Sequence, residues 1–170
     1  KDQLEKLTLL RNYIKSLNTA CVAYSGGVDS SLVASITFEQ LKGESCAVTG
    51  VSPALASHLL EEARMQAKWI GINHIEVITN ELEDESYSNN PKDRCFACKR
   101  ELHKQTNHIS ETLQYKNILD GVNFDDLSDY RPGIEASKKA GVLSPLALFK
   151  FSKQDIRDIS KSLGFPWWDK

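Results

Sequence analysis

The sequence predicts an α/β fold in which a parallel sheet carries helices on both faces. Short apolar runs alternate with longer segments that have apolar residues at helical spacing, and this alternation favours parallel pairing of the strands. A glycine-rich loop, Ser25–Ser30 with the letters SGGVDS, joins the first apolar run to the helical segment after it. Ligands of such sheets bind beyond the carboxyl ends of the strands, where this loop should lie.

Each element is bounded by the spacing of its apolar residues and by the residues that stop it. Most predicted helices end at a glycine or an asparagine, and the predicted strands are short apolar runs. In chain order we predict a helix over 2–17, a strand over 20–23, a helix from the loop to about 42, a strand over 45–51, a helix over 54–70, a strand over 74–79, a helix ending near 113, a strand over 115–121, a helix over 134–140, a turn over 144–146 and a helix over 153–163. Ser152 and Asp155 match a capping box at the start of the last helix.

Composition limits the class of protein. The chain has 170 residues, 41% hydrophobic and 26% charged, which suits one globular domain. The formal net charge of -2 gives no broad attraction to nucleic acid or to a membrane surface. No apolar run reaches the length of a membrane span, and the charged N-terminus does not resemble a signal peptide. We therefore expect a cytoplasmic protein whose four cysteines are reduced.

The glycine-rich loop has the chemistry of an anion site. Gly26 and Gly27 allow a sharp turn and a close approach of the backbone to a ligand. The N–H groups of the loop and of the helix start, together with the helix dipole, favour a phosphate there. Hydroxyl groups of Ser25, Ser30 and Ser31 add donors.

Asp29 suits a phosphate site only if a cation lies between the two groups, so it indicates Mg²⁺. The loop lacks the Gly-Lys-Ser/Thr ending of a Walker A loop and the glycine spacing of a dinucleotide fingerprint. It resembles instead the PP-loop, SGGxDS, of the ATP pyrophosphatases, which cleave ATP to AMP and pyrophosphate. The turn after the second strand, at Gly50 and Val51, would lie at the same edge and hold the adenine through its backbone. A plain Gly-Gly turn capped by polar residues is the alternative.

A second informative stretch contains Cys95 and Cys98 in a C-x-x-C pair flanked by basic residues. Two such thiols can bind a metal or a cluster, or close a redox disulfide, and nearby bases lower the thiol pKa. The alternative is a pair of helical cysteines without a ligand. Cys21 and Cys46 fall in predicted buried strands and are poor candidates for ligands.

An acidic loop follows the fourth predicted strand. Its carboxylates Asp125, Asp126 and Asp129 could support a metal, and Arg131 could clamp a phosphate or a carboxylate through two hydrogen bonds. An ordinary acidic loop with a Pro-Gly turn would have the same composition.

The loop 25–30, the stretch 91–99 and the segment 120–136 together resemble the LarE family. The resemblance covers the whole chain, 1–170, as a PP-loop ATP pyrophosphatase domain with an adenine nucleotide alpha-hydrolase-like fold. It implies an ATP-dependent sacrificial sulfur transferase that serves nickel-pincer cofactor biosynthesis. Such enzymes adenylylate a carboxylate of a pyridinium mononucleotide, release pyrophosphate and insert sulfur. The sulfur comes from a protein cysteine or through a 4Fe-4S cluster held by three cysteines.

The resemblance also implies roles for individual residues. The groups that would bind ATP phosphates and Mg²⁺ are Ser25, Gly26, Gly27, Asp29 and Ser30. Gly121 and Arg131 would lie near the nucleotide, Asp29 and Arg131 would be catalytic, and Cys95 and Cys98 match the cluster-bearing branch as metal ligands.

One departure from the family concerns the end of the chain. The family's sulfur-bearing Cys-x-x-Ser-Arg segment would follow Lys170, and neither it nor the family's C-terminal domain is present in this sequence. We therefore expect nucleotide binding without complete sulfur transfer. Trp167 and Trp168 near the terminus would expose much apolar surface, so we expect a cut chain or a partner, and the family tends to self-associate.

Other classes of function stay open. One is a different PP-loop enzyme, either an amide-forming ligase of the NAD or GMP synthetase kind or a tRNA thiolase. The net charge does not favour the basic face that a tRNA thiolase needs. The other is a non-catalytic nucleotide-binding or zinc-binding module, which would never release pyrophosphate.

Overall fold

The computed structural model describes residues 2–53, 55–79, 104, 106–128 and 141–170. Helices and strands alternate along the chain as predicted. The elements, in chain order, are α1 (Gln3–Leu17), β1 (Ala20–Ala23), α2 (Val28–Leu41), a 3₁₀ turn (Lys42–Glu44), β2 (Ser45–Val51), α3 (Ser57–Ile70), β3 (His74–Ile78), α4 (residues 106–113), β4 (Ile118–Leu119), a second 3₁₀ turn (Asp125–Ser128), α5 (Pro145–Leu148) and α6 (Lys153–Ser162).

The strands form one sheet in the order β3-β2-β1-β4, and each described pair is parallel. Leu143 adds a parallel bridge to Leu119 on the outer side of β4. The predicted parallel sheet is therefore confirmed. Because the strands are parallel, their carboxyl ends share one edge, and the loop between β1 and α2 leaves β1 at that edge.

The sheet has an apolar layer on each face. Val22 of β1 points into the larger core, which includes residues of α1, α2, α3 and α6. The alternate residue Cys21 points to the opposite face, where Cys46 and Val48 pack with Ile109 of α4. This alternation follows from the two-residue period of a strand. The prediction of helices on both faces is confirmed.

Helix α6 is fixed at its start by the predicted capping box between Ser152 and Asp155. The Asp155 carboxylate also accepts hydrogen bonds from Gln3 at 3.1 Å and from Lys6 at 2.7 Å, both on α1. Burial of Asp155 opposes its ionisation, but the hydrogen bonds from Lys6, Ser152 and Gln3 outweigh burial and lower its pKa to about 2. The first residue of α6, Lys153, therefore has a firmly held backbone.

Some predicted boundaries were wrong. The strand over 115–121 contracts to Ile118–Leu119, because the residues before it bond elsewhere: Tyr115 N–H donates to Ser110 and Lys116 N–H donates to the Thr19 hydroxyl. The turn over 144–146 is part of a short helix, α5, which has Pro145 in its first turn, where proline is tolerated. The helix predicted to start at 54 starts at Ser57.

The terminal tryptophans do not both lie exposed, contrary to our expectation. Trp167 is 3% exposed and stacks on Phe165 with ring centroids 5.0 Å apart. Trp69 of α3 meets both rings edge-on, and the Lys161 ammonium lies 4.8 Å from the ring centroid of Trp168. Phe165 and Trp167 are therefore buried against Trp69 of α3.

No helix in the described ranges has the length and apolar character needed to cross a membrane.

Candidate functional site

The glycine-rich loop turns tightly between β1 and α2, and its serines organise it. Ser30 Oγ accepts hydrogen bonds from the backbone N–H groups of Ser25 and Gly26, each at 3.2 Å, and lies 3.2 Å from Ser25 Oγ. Gly26 has a φ of +87°, and a Cβ there would lie 2.7 Å from the Cβ of Ala63. The sequence therefore needs a glycine at this position for both its backbone angle and its contact with α3.

The loop is anchored at its start by Tyr24. The Thr49 hydroxyl donates to the Tyr24 carbonyl at 2.8 Å, and the Tyr24 phenol donates to the Ala63 carbonyl at 2.8 Å. Burial raises the pKa of this phenol, so it stays a neutral donor. These contacts fix the residue from which the loop turns.

Among the described residues, no side chain caps the first turn of α2. Gly27 is the N-cap and makes no side-chain capping bond, so the first N–H groups of α2 keep their capacity for an anion. Gly121, just after β4, packs against this turn, and a Cβ there would lie 2.8 Å from the Ser30 nitrogen. The structure thus places two of the predicted site segments, the loop and Gly121, side by side.

Asp29 lies at the centre of a polar cluster at this edge. Its Oδ1 accepts from Lys153 Nζ at 2.8 Å and its Oδ2 accepts from Asn123 Nδ2 at 3.1 Å. The Asp29 side chain is 24% exposed and that of Lys153 is 35% exposed. The carboxylate is therefore accessible, and a cationic group already lies beside it.

Asp29 fits the predicted Mg²⁺. A carboxylate oxygen is the ligand that this hard cation prefers, and the Lys153 ammonium shows that a positive charge is accommodated at Oδ1. Within the described ranges, His, Cys, Asp and Glu side chains form no group of three or more that could hold a metal.

The described carboxylates of the acidic loop, Asp125 and Asp126, accept hydrogen bonds from backbone N–H groups. Asp125 Oδ2 accepts from the Lys153 N–H at 2.9 Å. Asp126 Oδ2 accepts from the Asn123 N–H at 3.0 Å, and Asn123 Oδ1 accepts in return from the Asp126 N–H at 2.9 Å. These bonds position Asn123 and Lys153 toward Asp29. Asp129 and Arg131 lie outside the described residues.

The predicted adenine position lies at the end of β2. The register puts Gly50 opposite Val77 and Val51 opposite Ile78 of β3. Val48 bonds toward the β1 side, since its carbonyl accepts from Tyr24 N–H at 2.9 Å. Strand bonding alternates, so the N–H and C=O of Gly50 also face that side, beyond the end of β1. β2 has the predicted bounds, so Gly50 and Val51, also predicted to form a turn, are the last two residues of the strand.

Ser31 does not donate into the loop, contrary to our prediction. Its hydroxyl is buried, donates to the Val28 carbonyl at 3.1 Å and accepts from Trp167 Nε1 at 2.8 Å. The side chain points toward the Trp167 ring, on the side of α2 opposite the loop. It therefore cannot reach a ligand on the loop side.

Of the cysteines, only the buried pair lies within the described residues. Cys21 and Cys46 are free thiols on neighbouring strands with sulfurs 3.0 Å apart. Donation to Cys21 and burial raise the pKa of the Cys46 thiol, so it stays protonated, and our prediction that this pair lies buried is confirmed. Cys95 and Cys98 lie outside the described residues.

Sequence reasoning missed Lys153 and Asn123 as site residues. A lysine at the start of a capped helix has no motif of its own, and it meets Asp29 across 124 positions of sequence. Asn123 gave a weak signal, since it follows the strand-end Gly121 by two residues. Only the topology that brings β4 beside β1 turns this signal into a contact.

Comparison with known proteins finds relatives of this chain. No family model matches it. It is 50% identical over 165 residues to the uncharacterized protein slr1717 of Synechocystis, with 97% of this chain and 62% of that protein covered. It is 31% identical over 158 residues to pyridinium-3,5-bisthiocarboxylic acid mononucleotide synthase of Lactiplantibacillus plantarum, with 92% of this chain and 57% of the synthase covered.

The chain is similar to this LarE synthase over most of its own length. It spans about three-fifths of the length of these curated relatives. The LarE resemblance that we inferred from the loop and from the two later segments is confirmed.

Solved structures share the fold at low sequence identity. The NH3-dependent NAD synthetase of Campylobacter jejuni matches with a TM-score of 0.78 and 15% identity, over 98% of this chain and 75% of that one. The U34-tRNA thiolase NcsA of Methanococcus maripaludis, solved with its 4Fe-4S cluster, matches with a TM-score of 0.66 and 15% identity, over 96% of this chain and 65% of that one. These matches confirm the predicted fold class, the PP-loop type of adenine nucleotide alpha-hydrolase fold.

Proposed function

We propose that this chain is the nucleotide-binding part of an ATP-dependent sulfur transferase. It would transfer AMP to a carboxylate, release pyrophosphate and prepare that carbon for sulfur. The observation that carries the proposal is the PP-loop at the start of α2, with Asp29 and Lys153 2.8 Å apart beside it. The name of the Lactiplantibacillus relative describes a pyridinium mononucleotide with two thiocarboxylates, which is the product that such chemistry yields from carboxylates.

The phosphates of ATP would lie on the loop. Backbone donors of residues 25–30 and the dipole of α2 would bind them, and the Ser25 and Ser30 hydroxyls would contribute further donors. Asp29 would hold Mg²⁺, which would supply positive charge to offset that of the phosphates. The backbone of Gly50 faces the position of an adenine, where its N–H and C=O could pair with the base edge.

The residues of the chain would promote leaving-group departure. A carboxylate is a poor electrophile, and bonding its oxygen to the α-phosphorus of ATP gives its carbon a good leaving group. The bond between the α-phosphorus and the bridging oxygen to the β-phosphate breaks, and negative charge grows on pyrophosphate. The loop N–H groups and Lys153 would neutralise that charge, and we propose the same role for Arg131. This half-reaction needs no side-chain general base.

The substrate and the sulfur donor are further proposals from the resemblance to the LarE family. The acceptor would be a pyridinium mononucleotide with carboxylates, and the pathway that of the nickel-pincer cofactor. Cys95 and Cys98 would hold a 4Fe-4S cluster that carries the sulfur. We also propose that residues 1–170 form the PP-loop domain of a longer, cytoplasmic and self-associating protein.

Phosphorus NMR of the complete gene product tests the reaction class. With ATP, Mg²⁺ and pyridinium-3,5-biscarboxylic acid mononucleotide, we expect AMP and pyrophosphate in equal amounts. Formation of ADP and phosphate would contradict the proposal, as would an absence of turnover despite ATP binding, which a nucleotide-binding module would give. An acceptor-dependent release of pyrophosphate that ends in an amide when ammonia is supplied would favour the NAD synthetase-like ligase.

Metal analysis of the anaerobically purified gene product tests the cluster. Iron with acid-labile sulfide that is lost in Cys95→Ala would support the cluster-dependent transferase. Zinc alone, or no metal, would remove Cys95 and Cys98 from the mechanism and favour a sacrificial cysteine elsewhere in the protein.

A further inference from the structure

The two oxygens of Asp29 have partners of different character. Oδ1 contacts the Lys153 ammonium at 2.8 Å, and Oδ2 contacts the Asn123 amide at 3.1 Å. The lysine side chain is long and 35% exposed, whereas Asn123 is 3% exposed. The Lys153 side chain can therefore leave Oδ1 at a small cost in free energy, whereas Asn123 is held by its buried surroundings.

The orientation of Asn123 is fixed by its own bonds. Its Oδ1 accepts from the Asp126 N–H at 2.9 Å, so its NH₂ group must face the other way, toward Asp29. Its backbone N–H donates to Asp126 Oδ2 at 3.0 Å. Asn123 therefore donates to Oδ2 whether or not a ligand is present, and it orients the Asp29 carboxylate.

The Lys153 ammonium and a divalent cation compete for Oδ1. Both need the lone pairs of the same oxygen, and like charges a few ångströms apart repel strongly in a partly buried site. The backbone of Lys153 is held by Asp125 at 2.9 Å and by the capping box of α6. A cation can therefore reach Oδ1 only if the Lys153 side chain moves, because the backbone at the start of α6 is anchored.

We propose that Lys153 occupies the cation position at Oδ1 of Asp29 until a magnesium–nucleotide complex displaces it, while Asn123 holds Oδ2 throughout. This inference rests on the proposed function. In the nucleotide-free protein Lys153 balances the charge of Asp29 and excludes a free metal ion. When the complex binds, its phosphates offer the lysine new acceptors and Mg²⁺ takes its place. Metal binding thus depends on the arrival of the nucleotide.

Binding of Mn²⁺ alone, measured by electron paramagnetic resonance without nucleotide, tests this exchange. We expect Lys153→Met to bind Mn²⁺ at least about fivefold more tightly than the parent chain, because the competing ammonium is gone. Adding Asn123→Ala to Lys153→Met should reduce the gain, because the Asp29 carboxylate is no longer held in one orientation before the metal binds. Adding Asp29→Ala should abolish the gain.

Matched controls separate this effect from charge and folding. Lys116→Met removes one positive charge from an exposed position at the amino end of β4, and Asn117→Ala removes an amide that donates to Leu17 and Thr19 carbonyls. Both should bind Mn²⁺ as the parent chain does, and thermal unfolding verifies that each variant is folded. Mn²⁺ affinity of Lys153→Met equal to or below that of the parent, including no binding at all, overturns the inference. The Mn²⁺ experiment uses no nucleotide, so it tests only the exchange at Asp29. ATP binding by the parent chain is measured separately, and a parent chain that fails to bind ATP would contradict the proposed function.

Discussion

The first turn of α2 has two sides that differ in kind. On the loop side, the contact of Asp29 with Lys153 and the contacts of Ser30 within the loop are polar and can be replaced by a ligand, and the Asp29–Lys153 pair is partly exposed. On the opposite side, the buried Ser31 hydroxyl bonds to the Trp167 indole, which stacks on Phe165. One side offers exchangeable partners and the other offers fixed ones.

This difference shows how a flexible glycine loop can hold a defined shape. A site for phosphates needs open donors, and open donors contribute little to stability before a ligand arrives. The aromatic side supplies the packing that the loop side lacks. Substitutions on the loop side should therefore change binding with little effect on stability, and substitutions on the aromatic side should change stability first.

The largest expected effect on the loop side comes from Asp29→Ala. We expect Mg²⁺-dependent ATP affinity, measured by calorimetry, to fall about a hundredfold or more, because the carboxylate that would hold the cation is removed. Stability should change by less than about 1 kcal/mol, because the Asp29–Lys153 pair is partly exposed. Asp169→Ala removes an exposed carboxylate elsewhere and should leave the affinity unchanged. Equal ATP affinity in both variants would refute the role of Asp29.

Gly121→Ala should reduce both the stability of the protein and its affinity for ATP. The new Cβ would lie 2.8 Å from the Ser30 nitrogen and 2.9 Å from its Cα, so the first turn of α2 must shift. We expect a loss of about 1–3 kcal/mol in unfolding free energy, with ATP affinity reduced as well. Gly43→Ala is the control, since a Cβ there has nothing within 4 Å. Equal stability of the two variants in denaturant unfolding would contradict the close packing of Gly121 against Ser30.

Asp155→Asn probes the anchor of the helix that carries Lys153. The folded pKa of Asp155 is lowered to about 2 from an ordinary value of 3.8, so its stabilisation is complete above about pH 4 and is lost as the pH falls toward 2. Urea unfolding should show a deficit of about 2 kcal/mol at neutral pH that shrinks between about pH 4 and pH 2. Asp169→Asn, at an exposed position, is the control for the loss of one negative charge. A deficit independent of pH would contradict the ion pair with Lys6.

Trp167→Phe gives the smallest and most specific effect. Phenylalanine keeps a ring for stacking but loses the N–H that donates to Ser31 at 2.8 Å. We expect a loss of about 1 kcal/mol in unfolding free energy and little change in ATP affinity. Trp168→Phe, whose ring lies half-buried under Lys161, serves as the control. A large loss of ATP affinity with unchanged stability would break the division between the two sides.

The sequence predicted what is local and missed what depends on distant contacts. Six adjacent letters were enough to predict the loop, and the strand–helix alternation was enough to predict the sheet. The first turn of α2 contacts three residues that lie 94 to 136 positions away in the sequence: Asn123, Lys153 and Trp167. Local residue spacing does not predict such long-range contacts. The hydroxyl of Ser31 was assigned to the loop side because the motif gives the residue type but not the helical face.

A crystal structure of the chain with Mg²⁺ and α,β-methylene ATP tests the central claim most directly. We expect the phosphates on the backbone N–H groups of residues 25–30, the metal on Asp29 Oδ1 with Lys153 displaced from it, and the adenine edge paired with the backbone of Gly50. A nucleotide bound elsewhere, or phosphates on the loop with the Asp29–Lys153 contact intact and the metal distant from Asp29, would contradict the account.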